Sequence, residues 1–132
     1  RDVVTALGPT RLGHGVRASE DPELLDAVVA AGISLEVCPA SNVCLGVYRA
    51  ADDVPLAILL EHGAQVALGA DDPLLFHTRL TDQYEIARRL GLDDAALAEL
   101  ARGSIRASLA AQSSKRAWLA EVDAWLAAPD PV

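Results

Sequence analysis

Three short apolar runs, residues 10–14, 33–37 and 65–70, each give way to a helix-length segment, and that alternation restricts the fold more than any other feature. The helical segments carry their own punctuation. In "DPELLDAVVAAG" Asp21 stands as the N-cap, Pro22 takes the first helical position and Gly32 ends the helix. Residues 2–7 read as the tail of a helix stopped by Gly8–Pro9. Residues 55–62 form a helix closed by Gly63, and residues 79–90 one closed by Gly91. Helices over 93–102, 105–111 and 115–127 follow. Residues 38–53 read as a long loop, and 129–132 as a frayed tail after a single unit over 1–128. Strand, helix and strand in regular order call for parallel strands joined by right-handed crossovers. The expected fold class is therefore α/β.

The period-2 pattern gives each strand two different faces. Ile33, Leu35 and Val37 share one side, against Ser34 and Glu36 on the other. Val66, Leu68 and Ala70 form an apolar side, opposite Gln65, Ala67, Gly69 and Asp71. An apolar face suits packing under helices, and a small or polar one suits the inside of a barrel. All three strands also finish on polar chemistry: His14 after the first, Glu36 near the end of the second, Asp71–Asp72 after the third. In parallel α/β sheets ligands bind at the carboxyl ends of the strands, so three such endings in succession point to a site.

Composition narrows the partners. A net charge of −8 with no basic run argues against a nucleic-acid surface, and no apolar stretch approaches the ~18 residues of a membrane span. Cys38 and Cys44 lie six positions apart, which is neither a CxxC pair nor a disulfide framework, so reduced thiols in a cytoplasmic protein are expected. The chain opens on Arg1 and not on methionine, from which a longer protein is expected.

Two adjacent carboxylates at a strand end repel one another and need compensation. Asp71–Asp72–Pro73 fits an N-cap followed by a helix-start proline. A divalent cation on Asp71 would equally absorb the charge and leave Asp72 to hydrogen-bond a substrate. Glu36, inside an apolar strand, needs a partner of its own, and His14 on the neighbouring strand is a candidate. His62 falls at a helix end where it can cap carbonyls, and His77 reads as a rim residue. With no HxH or HExxH and three histidines in all, the chain does not hold a complete zinc site.

"RLGHG" (11–15), "LEVCPASN" (35–42) and "ALGADDP" (67–73) resemble, in order and spacing, the last three strand motifs of the adenosine deaminase family. "GSIRASLA" (103–110) is similar to that family's post-barrel helix. The resemblance implies the C-terminal part of a (β/α)8 TIM barrel, about strands six to eight with the closing helices. Such barrels run to ~250 residues, so this chain is about half of one. It also implies hydrolysis of the 6-amino group of a purine nucleoside or base by a zinc-activated hydroxide, releasing ammonia. By the same resemblance His14 orients and stabilises the attacking hydroxide, Asp71 ligates zinc and helps take the water's proton, and Asp72 hydrogen-bonds the purine N7. Glu36 and Ser41 are then the partners of His14 and Asp71 respectively.

The family's HxH pair, its third histidine and its N1-protonating glutamate lie upstream of anything in this chain. The 132 residues alone are therefore expected to be inactive. "SNVCLGVY" departs from the family's TGA-like continuation, which leaves adenosine, adenine and 6-amino-6-deoxyfutalosine all open as substrates. Two other readings stand beside this one: a non-catalytic remnant, and a metal-dependent hydrolase of a non-purine substrate on the same barrel. The zinc deaminases of H-x-E…P-C-x-x-C type are excluded, because Cys38 precedes Pro39 and Cys44 lies too far on.

Overall fold

The computed structural model describes residues 2–128; the expected frayed tail at 129–132 lies outside the described residues. Its centre is a three-stranded parallel sheet in the order β1 (Arg11–Gly13), β2 (Ser34–Val37), β3 (Val66–Leu68). Each strand is shorter than the apolar run that encodes it. The ladder aligns Arg11 with Ser34, Leu12 with Leu35 and Gly13 with Glu36, then Leu35 with Val66, Glu36 with Ala67 and Val37 with Leu68. This register keeps Leu35, Val37, Val66 and Leu68 on one buried face. Arg11, Gly13, Ser34, Glu36 and Ala67 are left on the other, as the alternation predicts.

Helices cover the apolar face. α1 (Asp2–Leu7) precedes β1, and a 3-10 segment over Gly15–Glu20 leads into α2 (Pro22–Ala30), where Asp21 accepts the Leu24 N–H as N-cap. α4 (Leu56–Glu61) joins the second strand to the third, and His62 closes it with Nδ1 2.9 Å from the Ile58 carbonyl. Leu25, Val28, Leu35, Val37, Leu56, Leu59 and Leu100 are all at or below 1% exposure and make one core with the sheet. Truncating such a leucine to alanine typically costs about 2–5 kcal/mol, so this layer holds the strands in place.

Residues 38–53, expected as loop, contain the helix α3 (Pro39–Cys44) and a 3-10 turn at Ala51–Asp53. Pro39 at the first helical position starts α3 as Pro22 starts α2, but with Cys38 and not an aspartate before it. α5 (Pro73–Phe76) and α6 (Leu80–Arg89) follow β3.

The break expected between residues 102 and 105 is absent: α7 (Asp94–Ala107) runs through Gly103–Ser104 unbroken. Ser104 returns its hydroxyl to the Leu100 carbonyl within the helix, at 3.1 Å. Gly103 is there for contact. A Cβ on it would lie 2.1 Å from the Val66 carbonyl oxygen, so the absence of a side chain lets α7 lie directly on β3. α8 (Gln112–Ala127) buries no residue and is tied to α7 by Arg102, whose Nη2 donates to Asp123 at 2.6 Å.

Gly103→Ala is expected to destabilise the fold by roughly 1–3 kcal/mol through this clash, although alanine is the better helix former. Urea denaturation measures it. A stability gain would mean that α7 does not rest on the Val66 backbone.

Candidate active site

The first and third strands lead, at or just beyond their carboxyl ends, to a residue in the left-handed region. β1 ends at Gly13, and His14 turns into the left-handed region at φ 52°, ψ 32°. β3 ends at Leu68, and after Gly69 and Ala70 the chain turns at Asp71 with φ 59°. Among the described residues the only non-glycine residues with positive φ are His14, Asp71 and His77. All three lie at this end of the sheet or in the loop that follows it. Such a conformation costs a non-glycine residue roughly 1–2 kcal/mol, so the surrounding contacts have to hold it.

Those contacts converge on one oxygen. Ser41 Oγ donates to Asp71 Oδ2 at 2.6 Å, a short charge-assisted bond, from one turn inside α3. His14 Nε2 lies 3.5 Å from the same Oδ2. Asp71 Oδ1 accepts no hydrogen bond from any described residue, and the side chain is 29% exposed. One carboxylate oxygen is thus fixed and the other is open, an arrangement compatible with a monodentate cation ligand. Among the described residues no group of three or more His, Cys, Asp or Glu is placed to hold a metal ion, so Asp71 is at most part of a donor set.

Asp72 does what an N-cap does. Its Oδ1 accepts the N–H groups of Leu74 and Leu75, both at 2.9 Å, at the head of α5. The two acids therefore face different partners. Glu36 departs from the expected pairing. Its carboxylate meets Arg11 Nη1 at 3.4 Å, not His14. The register explains the exchange: Gly13, opposite Glu36, offers no side chain, and Arg11 on the same face reaches across it. His14, beyond the strand end, has left the alternation and turns to Asp71. The Arg11–Glu36 pair is about two-fifths exposed on both sides and adds only ~0.2–1 kcal/mol.

Cys38, which sequence reasoning treated as a bystander, lies under the Asp71 turn. A Cβ on Gly69 would sit 3.1 Å from its sulfur, so the glycine lets the third strand pass over the thiol. Burial pushes the Cys38 thiol above its usual range, and the Asp71 carboxylate adds to that, while the Asp71 backbone N–H pulls the other way. The only sequence signal for Cys38 is its place directly after a buried strand.

The family model for adenosine deaminase matches residues 1–125. The chain belongs to the adenosine deaminase family. A Streptomyces coelicolor protein with the provisional name adenosine/adenine deaminase is 57% identical over 97% of this chain and 38% of its own length. An aminodeoxyfutalosine deaminase of Streptomyces avermitilis is 39% identical over 96% of this chain and 36% of its own. Among solved structures, an adenine deaminase from Arthrobacter aurescens superposes with a TM-score of 0.90 at 34% identity, covering 96% of this chain and 39% of that one. The chain thus spans less than two-fifths of the length of these adenosine deaminase relatives, at their C-terminal part. Its three strands and their helices are the C-terminal part of the family's TIM barrel.

In this adenosine deaminase chain the two thiols differ in access, Cys38 being buried and Cys44 exposed. At pH 7 a thiol-specific reagent is expected to modify Cys44 in a fast phase. Cys38 should follow only slowly, because it is covered and its raised pKa keeps it protonated. Equal rates for the two, read by peptide mass spectrometry, would contradict the placement of Cys38 under Asp71.

Proposed function

We propose that this chain supplies the C-terminal part of the active site of a hydrolase that replaces the 6-amino group of a purine with oxygen and releases ammonia. The observation that carries the reading is the convergence of Ser41 and His14 on Asp71 Oδ2 at the carboxyl ends of parallel strands, with Oδ1 left open. The relatives' named substrates, adenosine, adenine and aminodeoxyfutalosine, share an adenine-type base, which supports a 6-aminopurine as the small-molecule substrate. The unpaired thiols fit a reducing, cytoplasmic setting, and among the described residues no helix is long and apolar enough to cross a membrane.

A single oxygen donor, pre-oriented by a serine hydroxyl, fits a zinc ion as one ligand of the three or four usual at such a site. The family resemblance puts the remaining ligands in residues that precede this chain. Zinc, when bound, lowers the pKa of its water from about 15.7 towards ~7 and so provides a nucleophile at neutral pH. The rest of the chemistry belongs to the protein. Asp71 Oδ1 would hold the ion, while Ser41 keeps Oδ2 from rotating away. His14, whose Nε2 lies 3.5 Å from the same carboxylate, would orient the attacking water and stabilise the charge that develops as it adds to C6. Asp72 keeps Oδ1 on the head of α5, which leaves its other oxygen to face the purine N7. The acid that protonates N1 comes from outside this chain.

In the complete enzyme, Asp71→Ala is expected to lose the metal and to lower kcat more than the roughly 10–100-fold typical of residues that only support a ligand. Asp72→Ala should retain the metal and mainly raise KM. Metal analysis alongside ammonia release reads both, and the opposite pattern would invert the two roles. The 132 residues by themselves are expected neither to take up stoichiometric zinc nor to deaminate adenine or adenosine. Turnover by the isolated chain would overturn the division of the site between this part and the rest.

A further inference from the structure

The head of α3 lacks an ordinary cap. Its N-cap, Cys38, makes no side-chain capping bond, and Pro39 has no N–H to offer. The first donor that needs a partner is the Ala40 N–H, and it finds one on another helix: Gln83 Oε1, 3.0 Å away and 43 residues along the chain. Gln83 is completely buried, at 0% exposure, the one long polar side chain so enclosed among the described residues. Its amide nitrogen is also used in full, donating to Thr78 Oγ1 at 2.8 Å and to the Arg79 carbonyl at 3.2 Å. A buried carboxamide with every hydrogen accounted for has a single orientation.

The two ends it joins are the two ends of the site. Ala40 is the neighbour of Ser41, whose hydroxyl fixes Asp71. Thr78 and Arg79 terminate the segment that begins with Asp71 and Asp72 and runs through α5 and the left-handed His77. Donor and acceptor of the Ser41–Asp71 bond thus lie on separate segments, α3 and the post-β3 loop, and Gln83 clamps both to α6.

We propose that Gln83 is a positioning residue for the reaction: by binding the Ala40 N–H and the Thr78–Arg79 corner, it sets the Ser41–Asp71 distance and hence the aim of the open Asp71 oxygen. This rests on the deaminase reading of the site. It predicts that the effect of Gln83 passes through Ser41.

The test uses the complete enzyme, once wild-type ammonia release and zinc content have been established; their absence would overturn the deaminase reading and this proposal with it, whereas the variants below test the proposal alone. Gln83→Met, which keeps the volume and removes all three bonds, is expected to lower kcat and zinc affinity, measured by chelator competition, by about tenfold with KM little changed. Gln83→Glu keeps an acceptor for the Ala40 N–H and is expected to retain more kcat and zinc affinity than Gln83→Met. In a Ser41→Ala background, Gln83→Met should cost little more than Ser41→Ala alone. Should Gln83→Met fail to fold, the comparison of Gln83→Glu in the wild-type and Ser41→Ala backgrounds decides in the same way. Losses that multiply independently of Ser41, or unchanged kcat and zinc affinity in a folded Gln83→Met, would overturn the proposal.

Discussion

Beyond the end of the parallel sheet the Asp71 carboxylate is held through one oxygen while the other accepts no hydrogen bond from any described residue, and the elements around it are arranged about that hold. The turn at φ 59° takes Asp71 out of the strand direction, and a hydroxyl from α3 secures one of its oxygens at 2.6 Å. A left-handed aspartate is disfavoured unless its side chain is anchored, and a serine on a separate helix can anchor it only if that helix cannot slide. In this structure α3 begins with a proline, is tied to α6 through Gln83, and follows Cys38, whose sulfur would lie only 3.1 Å from a Cβ at position 69.

The opposite face of the sheet meets a simpler demand, that of excluding water, and it does so by close approach. Leu35 and Val37 are wholly buried between helices, and α7 comes to backbone contact with β3 because Gly103 has no side chain. The polar face has almost no such packing. Arg11 and Glu36 meet there half in solvent, an interaction too screened to hold the sheet together. Apolar packing thus lies on one side of the three strands, and the side chains of Arg11, Ser34 and Glu36 on the other.

Much of this is legible in the residues and some is not, for identifiable reasons. The strands, their parallel order and their two faces follow from period-2 runs alternating with glycine-stopped helices, and α2 and α4 fall within a residue or so of where their punctuation puts them. α3 was hidden because Cys38 is a poor cap and its true cap comes from 43 residues away, a tertiary substitute for a local signal. The division of α7 was misread because Gly–Ser is a stop by propensity, whereas here the glycine answers to packing against Val66. In the site, Ser41 meets Asp71, the pairing the resemblance implies, whereas His14 lies against Asp71 and not against Glu36. Glu36 meets Arg11 and not His14, because the first strand, expected over 10–14, ends at Gly13. His14 no longer follows the strand, and no alternation rule describes it.

The two adjacent acids are reconciled by the same change of backbone. Asp71 is left-handed, whereas Asp72 returns to an extended conformation at φ −103°, ψ 100°. Successive residues in such different conformations point their side chains apart. Asp71 reaches back over the sheet to Ser41 and His14, while Asp72 turns forward to the free N–H groups of α5. Each carboxylate acquires its own compensation: a hydroxyl donor and a neighbouring imidazole for the first, two backbone donors at a helix start for the second. The neighbours that repel one another in the sequence thus become two separately compensated groups, and Asp71 keeps one oxygen that accepts no hydrogen bond from any described residue.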